Sequence, residues 1–144
     1  MRKKQAGFTV IELMTAIVII ALLIGIGLPN LASARTRANS ANVKANAHTA
    51  QVMVQTYAND NVGKCPENVT VLWTAASAGG YWKLMSNPFD KAQLALSNES
   101  LPAIAGAVAY EPAGVGSPKF YIYGYDNKAS RLRQWGKDFV LTNG

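Results

Sequence analysis

From Phe8 to Leu28 the chain reads FTVIELMTAIVIIALLIGIGL, twenty-one consecutive residues of which only Thr9, Glu12 and Thr15 are neither apolar nor small. As a helix this run covers about 31 Å, close to the hydrocarbon thickness of a bilayer. It is the source of a composition that is 49% hydrophobic and 15% charged, against about 25% charged residues in a typical soluble domain. Three readings compete for it: a removable secretory signal, a permanent single-pass anchor, or a membrane-stored helix later packed against copies of itself. The basic tip Arg2, Lys3 and Lys4, and the Ala32-Ser33-Ala34 triplet after Pro29, suit a signal whose mature chain begins at Arg35. Length opposes that reading, since the apolar part of a signal runs about 7 to 15 residues and does not normally carry a carboxylate near its start.

That carboxylate, Glu12, is the most informative residue in the chain. Ionised at mid-membrane it costs about 2.5–3.5 kcal/mol, less near an interface, so such residues usually have a partner. Only four residues inside the run, it could instead reach back to the headgroups. Cutting between Gly7 and Phe8 would remove the three tip charges and create an α-amine one helical turn from Glu12. With a pKa of about 7.7–8.0 that amine is mostly cationic at neutral pH. Where many such helices pack side by side, an unpaired Glu12 would cost several kcal/mol, so the charge contributes selection of axial register more than stability.

The stretch Lys4 to Leu13, K-x-x-G-F-T-x-x-E-L, resembles the class III leader of type IV pilins and type II secretion pseudopilins. The resemblance covers residues 1 to about 65. It implies a membrane prepilin peptidase that cuts after Gly7 and N-methylates Phe8, with Glu12 as the assembly glutamate. It divides the chain into a leader (1–7), a transmembrane and filament-core helix (8–28), an amphipathic continuation (29–60) and a globular C-terminal domain with a β-meander (61–144). The fold implied is α+β, the pilin fold, with a long N-terminal helix packed on a small antiparallel sheet. The partners implied are inner-membrane lipid before assembly, an assembly platform with its ATPase, and a homo-oligomeric filament. The location implied is the bacterial inner membrane with the N-terminus cytoplasmic, then a surface pilus or a periplasmic pseudopilus. Charge does not supply this orientation, because Arg35, Arg37 and Lys44 balance the tip.

Gly25, Gly27 and Pro29 cluster at the end of the apolar run. Proline removes an N–H and glycine lowers the cost of bending, which predicts a kink or a melted segment here; the resemblance implies unwinding there when subunits leave the membrane. From Asn30 to about Asn59 the sequence predicts further helix, with small or apolar residues recurring at Leu31, Ala34, Ala38, Ala41, Ala45, His48 and Val52. Val54, Tyr57 and Ala58 widen that stripe as though a domain begins to pack. Asn59 to Gly63 and Pro66 end the helix. Apolar clusters follow at Val69–Trp73, Tyr81–Met85 and Leu94–Leu96, then strand patterns at Ala105–Glu111, Lys119–Tyr125 and Lys137–Thr142, which predict an antiparallel meander.

A single cysteine, Cys65, rules out an intramolecular disulfide, and a single histidine, His48, read as a solvated helix residue, rules out a His/Cys metal cluster within one chain. Cys65 is expected to be a packed small hydrophobe. No nucleophile–base pair, phosphate loop or paired acid site is visible, so the chain reads as structural and not as an enzyme. No cofactor is expected. Calcium is a possibility the pseudopilin resemblance raises, with Asp126, Asn127 and Asp138 as oxygen donors, but no spacing selects an ion. Arg131 and Arg133, among Tyr125, Lys128, Trp135 and Lys137, could contact DNA, or could line a solvated strand pair. The net charge of +6 falls to +3 without the basic tip, which does not announce a nucleic-acid reader. Asn68-Val69-Thr70 and Asn98-Glu99-Ser100 match glycosylation triplets that mean little in a bacterial exported protein. The leading function is a subunit of a type IV pilus-like filament serving adhesion, motility or DNA uptake. The alternatives are a major pseudopilin of a type II secretion system and a monomeric membrane-anchored or secreted binding protein. The missing calcium spacing favours the pilus.

Overall fold

The computed structural model describes residues 7–99 and 103–143, with the backbone alone at Pro29. The basic tip Arg2, Lys3 and Lys4, and Ser100 of the second triplet, lie outside these residues. The chain forms two compact units that divide between Thr36 and Arg37.

One helix, α1, runs from Val10 to Asp60, 51 residues, and so passes through both units. In the first unit its apolar side chains are not packed against other described residues: Ile11, Leu13, Ile17, Leu22, Leu23 and Ile26 are each more than half exposed. In the second unit the same helix acquires a buried stripe at Val43, Ala47, Ala50 and Val54, continued by the half-buried Tyr57 and alternating four and three apart, with Met53 beside it. Ala41, Ala45, His48 and Val52, the later members of the stripe expected from sequence, stay exposed on another face. The sequence carries two small-residue stripes in this stretch, and only bulk distinguishes them: Val43, Met53 and Val54 can fill a core, and the alanine stripe cannot. Past Asp60, Val62 takes a left-handed φ of 55° and the Gly63 N–H returns to the Ala58 carbonyl at 2.7 Å, closing the helix end.

Helix α2 spans Val69–Ala78. Asn68 caps it, its side chain accepting from the Val71 N–H at 2.9 Å, while the Asn98 side chain accepts from the Val69 N–H at 2.8 Å. Both asparagines of the glycosylation triplets are therefore structural clasps. The sheet contains β1 (Leu96–Asn98), β2 (Val108–Pro112), β3 (Phe120–Gly124) and β6 (Val140–Thr142), in the order β1-β2-β3-β6. β2–β3 and β3–β6 are antiparallel, as expected, but β1 pairs with β2 in parallel, so the sheet is mixed and not a plain meander. The reason is the return path: Val108 N–H bonds the Ala95 carbonyl and Glu99 N–H bonds the Tyr110 carbonyl, which brings β1 in beside β2 with the same direction.

The run Lys137–Thr142, expected as one strand, divides. Lys137–Asp138 forms β5, paired with β4 (Arg133–Gln134), and β6 pairs with β3. The break falls at Phe139, which is buried in the core and whose N–H bonds the Leu132 carbonyl at 2.7 Å. Burial of one ring redirects the strand from one partner to another. The core lies between the Val43–Tyr57 stripe and the sheet face formed by Leu96, Val108, Tyr110, Phe120 and Ile122. Cys65 joins it as a small buried side chain, its thiol donating to the Pro118 carbonyl at 3.2 Å.

Two buried polar groups tie the irregular segments down. Asn87 is 1% exposed and donates to the Ala105 carbonyl at 2.7 Å and the Leu94 carbonyl at 3.3 Å, while its oxygen accepts from the Phe89 and Asp90 N–H groups. Gly106 makes this possible: at φ +77° it leaves room that a Cβ would fill at 2.3 Å from the Asn87 oxygen. The buried Tyr110 hydroxyl donates to the Pro66 carbonyl at 2.6 Å.

Asn87→Ala strands backbone groups in a dry interior and is expected to cost about 3 kcal/mol, read as a lower thermal midpoint of the full chain in detergent; an unchanged midpoint contradicts this account. Burial pushes the Tyr123 hydroxyl up to about 12, its bond to Glu111 adding to the shift, and raises Tyr110, Tyr125 and Tyr81 in the same direction. Unfolded tyrosine releases its proton at about pH 10. The unfolded chain therefore loses protons first, and the stability these rings hold is complete below about pH 10 and declines as the pH rises toward 12. Melts recorded between about pH 9 and about pH 12 should show the midpoint falling only in the upper part of that window.

Candidate functional site

The N-terminal end of α1 begins with Gly7 and an exposed Phe8, after which Thr9 and Glu12 lock together. The Thr9 N–H donates to Glu12 Oε2 at 2.9 Å, the Thr9 hydroxyl donates to the same oxygen at 2.7 Å, and the Glu12 N–H donates back to Thr9 Oγ1 at 3.3 Å. This is a reciprocal capping box, formed because T-x-x-E places the two side chains across the first helical turn. It satisfies two of the N–H groups that every helix start leaves without a partner, which matters most where no water can replace them. Glu12 stands out in the sequence by its charge, whereas Thr9 is marked only by the T-x-x-E spacing ahead of an apolar run, the signal for such a box.

The box also fixes where the carboxylate sits. Oε2 lies beside the Thr9 backbone, one residue from the Phe8 nitrogen that cleavage after Gly7 would free. Phe8, Ile11, Glu12, Thr15, Ala16 and Ile19 border a shallow recess of about 410 Å³ on one helix face. Thr15 returns its hydroxyl to the Ile11 carbonyl at 2.8 Å, leaving its methyl as the feature presented outward.

Gly25, Gly27 and Pro29 lie within continuous helix. A melted segment is therefore not a property of this subunit taken alone: its neighbours Ile24, Ile26 and Leu28 are apolar, and Asn30 donates to the Ile26 carbonyl at 3.4 Å. A Cβ added at Gly25 or Gly27 would meet nothing within 4 Å, so no packing inside the chain demands glycine there.

The other site residues are distributed through the second unit. Asp126 accepts from the Lys128 and Ser130 N–H groups at 2.8 and 2.9 Å, so one carboxylate oxygen is occupied in shaping its own turn. Asp138 stands opposite Arg133 in the β4–β5 pair. Among the described residues no three His, Cys, Asp or Glu side chains gather to hold an ion. Arg131 pairs with Glu99 at 2.7 Å and stacks 3.9 Å over the Tyr123 ring, and Glu99 also accepts from the Tyr125 hydroxyl. Its charge is thus already engaged on the outer face of the sheet. Arg133 donates to the Gly136 carbonyl. The sequence grouped Arg131 with Arg133, and the structure gives them different partners. Glu99, the residue that commits Arg131, lies 32 positions away and carries no local signal.

Residues 2–28 match the family described as a prokaryotic N-terminal methylation motif. The chain is 37% identical over 93 residues to the type IV wide pilus major component PilA4 of Thermus thermophilus, an alignment that covers 55% of this chain and 71% of that protein. No solved structure matches. With the apolar N-terminal helix, the Gly7–Phe8 junction and the mixed sheet behind the second half of α1 in place, the chain belongs to the type IV pilin family.

Proposed function

We propose that this chain is a major subunit of a type IV pilus-like filament. In this reading a prepilin peptidase cuts after Gly7 and methylates Phe8, the subunit waits in the inner membrane with its N-terminus cytoplasmic, and an assembly platform and ATPase drive it into the polymer. The observation that carries the reading is the apolar half of α1, long enough to cross a membrane and with none of its described residues buried within its own chain. A surface of that size needs lipid or copies of itself. The exposed line Ala34, Ala38, Ala41 and Ala45 supports close approach between neighbouring helices, and the similarity to a named pilus component supports the pilus over the secretion pseudopilus.

Glu12 acts twice in this scheme. Before assembly the Thr9 box holds its carboxylate and completes the helix start. In the filament the α-amine of Phe8 on a neighbouring copy becomes the stronger partner, because a full charge outbids a neutral N–H and hydroxyl. Register is set by that exchange. Gly25, Gly27 and Pro29 give the helix a weak point to unwind as it leaves the bilayer.

The mass of the envelope form tests the processing step: a chain beginning at methylated Phe8 is expected, whereas one beginning at Arg35 would make it a secreted protein and Met1 an uncut anchor. Electron microscopy of sheared material should then show long surface filaments, and short periplasmic ones would move the reading to a pseudopilus. Glu12→Ala should leave the subunit in the membrane while lowering filament yield by about tenfold or more, the factor that about 1.4 kcal/mol of lost register selection supports. Normal yield from that variant would remove the role given to Glu12.

A further inference from the structure

The β4–β5 hairpin turns through Trp135 and Gly136, with φ of +50° and +81°. Its register pairs Gln134 with Lys137, so the loop has two residues, and positive φ at both makes it a type I′ turn. Asn-Gly and Asp-Gly suit such a turn; a tryptophan at its first position is strained and gains nothing locally. Trp135 is nevertheless 94% exposed, touching almost nothing of its own chain. The hairpin beneath it is held in place, because Lys44 on α1 donates to the Gln134 side chain at 3.3 Å and Arg133 donates to the Gly136 carbonyl. A large apolar ring is thus presented on a braced tip.

Elsewhere on the same unit lies a cavity of about 450 Å³ between α2, the segment after it and the edge strand β1, lined by Trp73, Trp82, Leu84, Met85, Leu94 and Leu96. Leu84 is 93% exposed, and Trp73 and Leu94 are each more than half exposed. Soluble surfaces rarely gather so many large apolar side chains around one depression without using them.

Charge links the two features. Trp135 is flanked by the exposed cations Arg133 and Lys137. Asn98, on the rim of the groove, also lines the adjoining recess walled by Glu67, Glu99 and Glu111, of which Glu67 is the exposed acid, Glu99 and Glu111 already accepting from Arg131, Tyr125 and Tyr123. Lys83, exposed, lies in the chain between the two lining residues Trp82 and Leu84, and the hairpin carries an exposed carboxylate of opposite sign, Asp138.

We propose that Trp135 of one subunit seats in the Trp73–Leu84–Leu94 groove of a second copy, making a contact between globular domains in addition to the one between apolar helices. This rests on the filament reading. Knob and groove occupy different surfaces of the chain, so the contact is head-to-tail and leaves a free knob and a free groove at every step; such a contact propagates and does not close into a dimer. The buried tryptophan anchors it, and the flanking charges fix its direction.

Trp135→Asn separates this role from a merely structural one. It installs the Asn-Gly pair the turn prefers, so the full-length subunit in detergent should melt at or above the wild-type temperature. Sheared filaments of the same variant should release about tenfold more free subunit after an identical heat step. Leu84→Asn should weaken filaments in the same way, and the double variant should be no worse than either single one, since both remove one contact. Oxidised filaments carrying Trp135→Cys with Leu84→Cys should give a ladder of covalent multimers that neither single variant gives; Cys65, buried and with its thiol pushed up by burial, serves as the silent background. Wild-type filaments alongside variants of equal heat resistance and no ladder overturn the contact alone. Absence of filaments from the wild-type chain overturns the filament reading and this contact with it. Unweakened Trp135→Asn filaments that no longer retain DNA would assign the hairpin to nucleic acid and likewise overturn the proposal.

Discussion

The backbone hydrogen bonds of α1 close within the helix, and everything else in this molecule depends on that. An extended or irregular segment with the composition of Phe8–Leu28 would have to bury unpaired N–H and C=O groups along with its side chains. As a helix it needs partners only for its side chains, which lipid or other apolar helices can supply. The exception is the first turn, where four N–H groups have no acceptor in the helix. Thr9 and Glu12 supply two of the missing bonds. The one carboxylate in the apolar run therefore stands where a helix start both needs it and tolerates it, which reconciles its presence with the cost of burying charge.

In its second half the same helix is part of an ordinary core. Val43, Ala47, Ala50 and Val54 are each essentially without exposure and face Tyr110, Phe120 and Ile122. The connections around this core have little regular structure, and specific polar groups hold them instead: Asn87 for the turn at Phe89 and Asp90 and for the carbonyls of Leu94 and Ala105, Asn98 for the start of α2, the Tyr110 hydroxyl for the Pro66 turn. A small domain that carries much of its chain in such segments depends on a few fully satisfied buried polar groups, because each loses several bonds at once when removed. The outer face of the sheet follows the same logic in a wetter setting, where Glu99, Arg131, Tyr123 and Tyr125 form one connected network.

Strain at Trp135 belongs to a different category. Asn87 and Tyr110 break the preference for apolar interiors, and each is repaid by bonds within the chain. Trp135 breaks the preference of a I′ turn and, almost fully exposed, gains no burial among the described residues. A local rule broken without internal compensation directs attention outward, to what the chain meets.

The sequence by itself determined the apolar helix, its length and the leader pattern ending in Gly7-Phe8, because each rests on residues adjacent in the chain and on periodicity that local geometry reads out. The strand of Phe120–Gly124 was legible for the same reason. Only the tertiary structure decided which of two alanine-bearing stripes of α1 faces the core, that β1 joins β2 in parallel, that Phe139 splits the last strand in two, and that Arg131 is already held by Glu99. Each of these depends on residues brought together from distant parts of the chain, where the winning arrangement is the one that fills volume and satisfies polar groups at once. No local pattern encodes that competition, because its terms exist only once the chain has folded.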